Sequence, residues 1–528
     1  MKNTFSSLEI LESRIAPATI TGNVLHYTDV DGDHVTVTFS KGPMASGDFL
    51  FNTAFNNNGP QQLQLIDIHG QSGLAGMNIT VKAGKSGGDG LAAIGFINAT
   101  GVNLGKVTIA GDLTGIKAGT DDAVVPAIAA LTVRSMGDFG LTTQAGGGLF
   151  TSTVTGKLPV LKVAKNMVDV TFTVGGANGY LGSVVVGGSL IGGDSTTSGT
   201  IASGDVSHPD NIGSVTIGKD LVGGTTGTSG AIAAFGSITK VKIGGNIIGG
   251  GGSNSGSIFA FGSIGSVTVA GSLFGGQATG SGSIIGQASL GDIIVKGNFT
   301  GGSNSGVGSR SQLGIIGSVG HVNSVTIGGS IVAGFNLGGG SLSQSPTITS
   351  TSADIGSIVV NGSIFGNSSN PVIFSGKGQA VKPALGLDTA IGSVTIKGSA
   401  VHTNILAGFD GSQADADGDA SLGKIVIGGD WRAGNIVAGA HQNSAPNWGG
   451  GDTVQATNDP NLISHIASIV IGGTLEGSAN PSSNFGFVAQ QVDALKIGGK
   501  TFTLNVGHSN DNFQLGLNSD ANVQLEEI

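Results

Sequence analysis

The sequence has no cysteine among its 528 residues, which excludes disulfides and thiolate metal sites. Charge is scarce: 11% of residues are Asp, Glu, Lys or Arg, and the formal net charge is −10. No basic patch stands out, and a strong DNA or RNA binder would carry one; no nucleic-acid partner is expected. Aromatics make up 5% of the chain. Long apolar runs are missing too. Residues 243 to 291 hold no charged side chain, yet Gly, Ser, Thr and Asn interrupt the apolar pairs throughout. A membrane-spanning helix needs ~20 predominantly apolar residues, so no transmembrane segment is expected.

What the chain has in abundance is glycine, 98 residues of it. The glycines do not recur at every third position, which excludes collagen. Disordered chains are rich in charge and poor in Val and Ile; here mean hydropathy is positive and Val/Ile pairs recur. Many β-branched residues beside many glycines point to short strands joined by tight turns.

An internal repeat makes this specific. Its unit is an apolar–x–apolar pair, then x–Gly, a small polar residue and another apolar residue. It appears as Val184-Val186, Val215-Ile217, Val241-Ile243, Val267-Val269 and Ile293-Val295. It continues as Val325-Ile327, Ile358-Val360, Val394-Ile396, Ile425-Ile427, Ile469-Ile471 and Leu495-Ile497. Val107-Ile109, Leu131-Val133 and Leu161-Val163 are degenerate upstream copies. From Val215 to Val241, Val267 and Ile293 each step is 26 residues; other steps are longer, as insertions into a coil would make them.

The pair has period two, so both side chains face one side of a strand. The following glycine answers either a positive φ or a close backbone approach. The small polar residue (Ser189, Asp220, Asn246, Ser272, Asn298, Ser330, Ser363 or Asp430) bonds local backbone at a corner. A third segment recurs through Ile232, Ile258 and Ile284, and Phe235 and Phe261 are also 26 apart. One unit cannot bury its own apolar side chains, whereas stacked units can. The expected fold is all-β: a right-handed parallel β-helix (solenoid) with about three strands per coil, a base period of 26 residues and capped ends.

The expected organisation is a leader or disordered tail over residues 1 to 20 and an N-terminal capping β-hairpin region over 21 to 60. The hairpin crosses Asp31-Gly32-Asp33. The solenoid runs from 61 to 500, with its longest insertion near 440 to 465, and 501 to 528 form a C-terminal cap. The N-terminal segment Leu11-Glu12-Ser13-Arg14, followed by Ile15-Ala16-Pro17-Ala18, resembles the LExR-type leader of large exported bacterial repeat proteins. The glycine-rich coils are similar to bacterial β-strand-repeat proteins and autotransporter passengers. The resemblance implies export, a cell-surface or extracellular location, and a structural or adhesive role. It stops short of an autotransporter's C-terminal barrel, for which the repeat leaves no room.

Few motifs offer chemistry. Asp29, Asp31 and Asp33, and again Asp415, Asp417 and Asp419, place carboxylates at alternate positions around a glycine turn, as the first half of an EF-hand loop does. The second half departs from it: His34 and Ala420 stand at the sixth position, Ser40 and Val426 at the twelfth. A structural Ca²⁺ is the one cofactor these turns suggest, and Asp410 nearby favours the second. Residues 494–501 and 213–220 imitate a phosphate-binding loop, but they are copies of the coil repeat and no helix follows them. The nine histidines are dispersed. A glycosidase would need a carboxyl pair; none is recognisable, and no catalysis is expected. The alternative is a carbohydrate-binding or polysaccharide-degrading β-helix that uses loops 402 to 452. That region holds Trp431, expected in the core, and Trp448, the candidate ligand contact. Self-association or a surface polysaccharide are the expected partnerships.

Overall fold

The computed structural model describes residues 17–53, 60–139, 150–443, 448–457, 459–478, 483–515 and 522–528. Of the expected leader or tail over residues 1 to 20, residues 1 to 16 lie outside them. The chain is all-β and is dominated by parallel strand pairing, an arrangement consistent with a β-solenoid. It divides into two compact units, residues 1–165 with 174–179, and 166–173 with 180–528.

The first unit begins antiparallel and turns parallel. Val24–Thr28 pairs antiparallel with His34–Phe39, and that strand pairs antiparallel with Met77–Gly84. From Met77–Gly84 onward the pairing is parallel. Ile79, Val107, Leu131 and Leu161 stack in register, as do Val81, Ile109, Val133 and Val163. All eight are buried. The Ile79-Val81 rung is one the repeat pattern did not reveal, because Lys82-Ala83-Gly84 follows where the corner motif should stand.

The second unit repeats three rows of strands. One row runs through Val184, Val215, Val241, Val267, Ile293, Val325, Ile358, Val394, Ile425, Ile469 and Leu495, each in parallel register with the next. A second is an eleven-stranded sheet of two-residue strands, from Met167 through Leu190, Leu221, Ile247 and Leu273 to Trp431 and Leu475. A third carries Ile201, Ile232, Ile258, Ile284, Ile316, Ile348, Phe374, Ile405, Ile436, Phe487 and Leu525. Side chains of all three rows are buried along almost their whole length. Trp431, as expected, is core: it stacks between Ala400 and Leu475, and its indole N–H donates to the Gly434 carbonyl at 3.1 Å. Parallel pairing ends at the last rungs, where Leu495–Ile497 meets Lys500–Phe502 antiparallel and Val523–Glu527 meets Asn512–Gln514 antiparallel.

The corner between the first and second rows explains the Gly–polar motif. Asn246 Oδ1 accepts the backbone N–H of Ser272 at 2.8 Å, Ser272 Oγ accepts that of Asn298 at 3.0 Å, and Asn298 Oδ1 accepts that of Ser330 at 2.8 Å. The same bond recurs ten times, from Asn166 to Thr474. It passes through Ser399, which the repeat pattern did not include. The eight acceptors from Asp220 to Asp430 also fill the space beside the next coil's glycine: a Cβ on Gly271 would lie 2.3 Å from Asn246 Oδ1 and 2.7 Å from the Gly245 carbonyl oxygen. The corner glycines from Gly245 to Gly473 have no positive φ, so close approach alone requires them. Where Lys219 replaces the glycine, the ladder bond between Asp220 N–H and Ser189 Oγ is the longest of the ten, 3.3 Å. Positive φ is used at a different corner, by Gly230 (+59°) and Gly256 (+58°).

Gly271→Ala is expected to destabilise the fold by roughly 1–3 kcal/mol through overpacking. The double variant with Asn246→Ala should lose less than the sum of the single losses, because Oδ1 is the atom the new methyl strikes. Thermal unfolding midpoints of the four chains check this, and strict additivity would show that glycine and ladder are independent.

Candidate functional sites

The hairpin turn of the first unit gathers Asp29, Asp31 and Asp33. Alternation along the strand turns Asp29 inward with Tyr27; Asp29 and Asp33 are buried and Asp31 is exposed. One ligand oxygen from each lies within 4.8 Å of the other two, a spacing that an oxygen-ligated cation can bridge. Asp33 also has a partner segment invisible to local pattern. It accepts the backbone N–H groups of Ser86 (2.8 Å), Gly87 (3.3 Å), Gly88 (2.9 Å) and Gly90. These bonds, Ser86's first, hold its carboxyl down to about 2. Asp29 moves the other way: burial, and then the adjacent Asp31 carboxyl, push it up to about 7. The glycine-rich run Ser86-Gly87-Gly88-Asp89-Gly90 was the available signal for the N–H cradle. Gly88 lies directly against the exposed Asp31 carboxylate, which a Cβ there would meet at 2.2 Å.

The second aspartate turn is built differently from the expected calcium loop. Lys382, from the insertion at 377–387, places its ammonium 2.7 Å from Asp417 and 2.5 Å from Asp419. A side-chain cation thus stands where the metal was expected. Asp415 pairs with His441, away from the other two, and Asp410 closes its own turn on Ser412 and Ala414. Asp417 and Asp419 thus face Lys382 while Asp415 faces His441; a lysine 35 residues upstream of Asp417 cannot be foreseen from the local DxDxD pattern. Burial alone would lower the Lys382 pKa, but the two carboxylates hold it up to about 12.

A third buried carboxyl completes this cluster. Asp388 Oδ1 accepts the Gln379 N–H at 2.6 Å, while Oδ2 is buried without a partner beside the Asp417 side chain. Burial pushes Asp388 up to about 6, with the Asp417 charge adding to it. Asp419 also accepts the Asp459 N–H at 2.8 Å and 2.9 Å, and Gln455 Oε1 accepts those of Ala416 and Asp417, each at 3.0 Å. Three insertions are thereby tied together through one polar cluster.

The remaining residues of the 402–452 region do not converge on a common point. Asp430 is a rung of the corner ladder, and Arg432 pairs with Glu476 at 3.2 Å. Trp448 is 7% exposed. It packs with Ile373, Leu406, Phe409, Val437, Ala440 and Val488, with the Phe409 ring edge-on at 6.0 Å. Trp448, the candidate ligand contact, thus lies in an apolar cluster against an outer sheet face. In the first unit a shallow cleft of about 220 Å³ is lined by Thr100, Lys117, Ala118, Gly119, Thr153 and Thr155, which bring one charged group and no carboxylate.

The sequence matches no family model, no curated protein and no solved structure. Among the described residues no helix is long and apolar enough to cross a membrane. Fold and sites together define the class: an all-β protein on a long parallel sheet, with polar clusters that brace its insertions.

Asp388→Asn tests the brace. An acid whose folded pKa is raised stabilises the fold below its ordinary range, and that contribution is lost as pH rises through about 6. The substitution should therefore raise stability at pH 8 by roughly 1–3 kcal/mol and change little at pH 4, measured by denaturant unfolding at both values. An equal effect at the two pH values would refute the assignment.

Proposed function

We propose that this chain is a right-handed parallel β-solenoid with about three strands per coil and a 26-residue base coil, exported to a bacterial cell surface or extracellular matrix. There it acts as a structural or adhesive element and not as an enzyme. The observation that carries this reading is the unbroken corner ladder from Asn166 to Thr474, which runs beside continuous aliphatic rows. In-register pairs such as Val215–Val241–Val267–Ile293 support the base period, and the strong preference of parallel crossovers supports the hand. A braced scaffold of this kind presents outward rows in which Ser and Thr alternate with occasional charged or aliphatic side chains, as in Ser214–Lys240–Ser266 and Thr216–Lys242–Thr268. Such a surface suits self-association or contact with a surface polysaccharide. Most of the carboxyl groups described above are engaged by backbone N–H groups, by Lys382 or by His441, which suits bracing better than proton transfer to a substrate.

A Ca²⁺ ion held by Asp29, Asp31 and Asp33 is the second element of this reading, supported by the mutual approach of their oxygens. The ion would join the exposed Asp31 to its two buried neighbours and stabilise the first hairpin.

Two measurements test these readings. Surface labelling of intact cells, with sedimentation of the purified chain, should find the protein outside the cytoplasm and associating as its concentration rises; a strictly cytoplasmic monomer would defeat the first. Adding Ca²⁺ in place of a chelator should raise the thermal midpoint by a few degrees, as preferential binding to the folded state requires. Asp31→Asn should remove that gain, and identical midpoints with and without Ca²⁺ dismiss the ion.

A further inference from the structure

The two arms of the first hairpin carry the same three-residue motif, His26-Tyr27-Thr28 and His34-Val35-Thr36. Antiparallel pairing sets His26 opposite Thr36 and Thr28 opposite His34, so each histidine meets the other arm's threonine. Period-two alternation turns Tyr27 and Val35 into the core, where both are buried, and leaves the two histidines and two threonines on the opposite face. There the histidines are diagonal neighbours. Both line one cleft of about 140 Å³, together with Thr28, Thr36 and Thr19. Thr19 reaches it because the strand Thr19–Thr21 pairs with Val24–Thr28 and sets Thr19 opposite His26.

The rings are held by matching contacts. His26 Nδ1 lies 3.2 Å from Thr36 Oγ1, and His34 Nδ1 lies 3.4 Å from Thr28 Oγ1. A hydroxyl oxygen accepts the Nδ1–H of a neutral imidazole, and the lone pair of that ring is then on Nε2. Among the described residues neither Nε2 has a hydrogen-bond partner. Among the described residues that line the cleft there is no carboxylate and no ammonium; Lys82, opposite Thr36 on the next strand, stands outside its wall. This face therefore offers nitrogen, whereas the aspartate turn at the hairpin's end offers oxygen.

We propose that His26 and His34 form a metal site of their own, a two-nitrogen clasp for a divalent ion of the zinc, nickel and copper class. Diagonal neighbours across a strand pair stand ~7–8 Å apart, a span that two imidazoles close around one ion at ~2.0–2.1 Å per Zn–N bond. Imidazole nitrogen suits these ions, whereas Ca²⁺ takes oxygen. Thr36 and Thr28 are positioning residues: from the far nitrogen of each ring their hydroxyls fix the tautomer and the ring plane, as the outer partners of metal-bound histidine do. Water completes the coordination shell in the open cleft. The bound ion ties one arm of the hairpin to the other on the face away from the core. The site rests neither on export, nor on self-association, nor on Ca²⁺ at the aspartate turn.

The test titrates Zn²⁺ calorimetrically into the full chain in excess Ca²⁺, which keeps the aspartate turn from competing; the absence of cysteine removes thiolate competitors. The tightest class should hold one Zn²⁺ per chain. His26→Gln and His34→Gln, both at exposed positions that leave the core untouched, should each abolish that class, while Asp31→Asn and His69→Gln leave it unchanged. Thr28→Val combined with Thr36→Val should weaken it about tenfold, and Thr28→Ser combined with Thr36→Ser should restore it. No Zn²⁺ binding, a tightest class that survives either glutamine variant of the hairpin, or one lost equally in His69→Gln overturns the site. A valine pair that binds as tightly as the unsubstituted chain overturns the positioning role of the hydroxyls.

Discussion

Parallel stacking in register imposes one constraint on every position of this protein: each side chain must accept its own counterpart ~4.8 Å above and below. Inward positions meet it with aliphatic residues that pile Val on Val and Ile on Ile. At the corner between the first two rows the backbone comes so close that a β-carbon has no room. There glycine yields space to the polar side chain of the coil before, and that side chain uses the space to accept the next corner N–H. Two residue types that look like separate turn signals are one device. It satisfies backbone donors that a tight corner would otherwise strand, and it repeats because each acceptor sits on the residue that supplies the next.

The same constraint decides where irregularity can go. Inside the stack an insertion would break three rows at once, so extra residues leave at the corners and return in register. The 377–387, 408–419 and 440–457 segments do this in successive coils, and being adjacent they fold onto one another. Their polar groups form the Lys382–Asp417–Asp419 cluster, and their apolar groups form the Trp448 cluster against the outer face of the third row. The carboxyl groups there are met by Lys382, by His441 or by backbone N–H groups, and several of these contacts fix one loop to another.

The aliphatic rows were legible from spacing alone, since a 26-residue step between Val215, Val241 and Val267 has no simpler cause than stacking. The corner motif was legible as a turn, but its mechanism was not. Spacing could not distinguish a positive φ from a close approach, and only coordinates show Asn246 Oδ1 in the place of a Gly271 side chain. The aspartate turns show the opposite limit. Asp29-Asp31-Asp33 and Asp415-Asp417-Asp419 are nearly identical as patterns, yet one gathers its three oxygens and the other splits between Lys382 and His441. Trp448 likewise looked like an exposed loop aromatic, because its apolar neighbours Ile373, Leu406 and Val488 are scattered over more than a hundred residues.

By itself the sequence determined the strand rows, their burial and the composition of the corners, because those follow from periodicity and from what each residue type can tolerate locally. Tertiary structure alone decided which carboxylate meets which cation, which N–H groups wrap Asp33 and which face Trp448 covers. Those contacts join segments whose separation along the chain has no period, so no local rule connects them, and a charge or a ring takes its meaning from whatever folds against it.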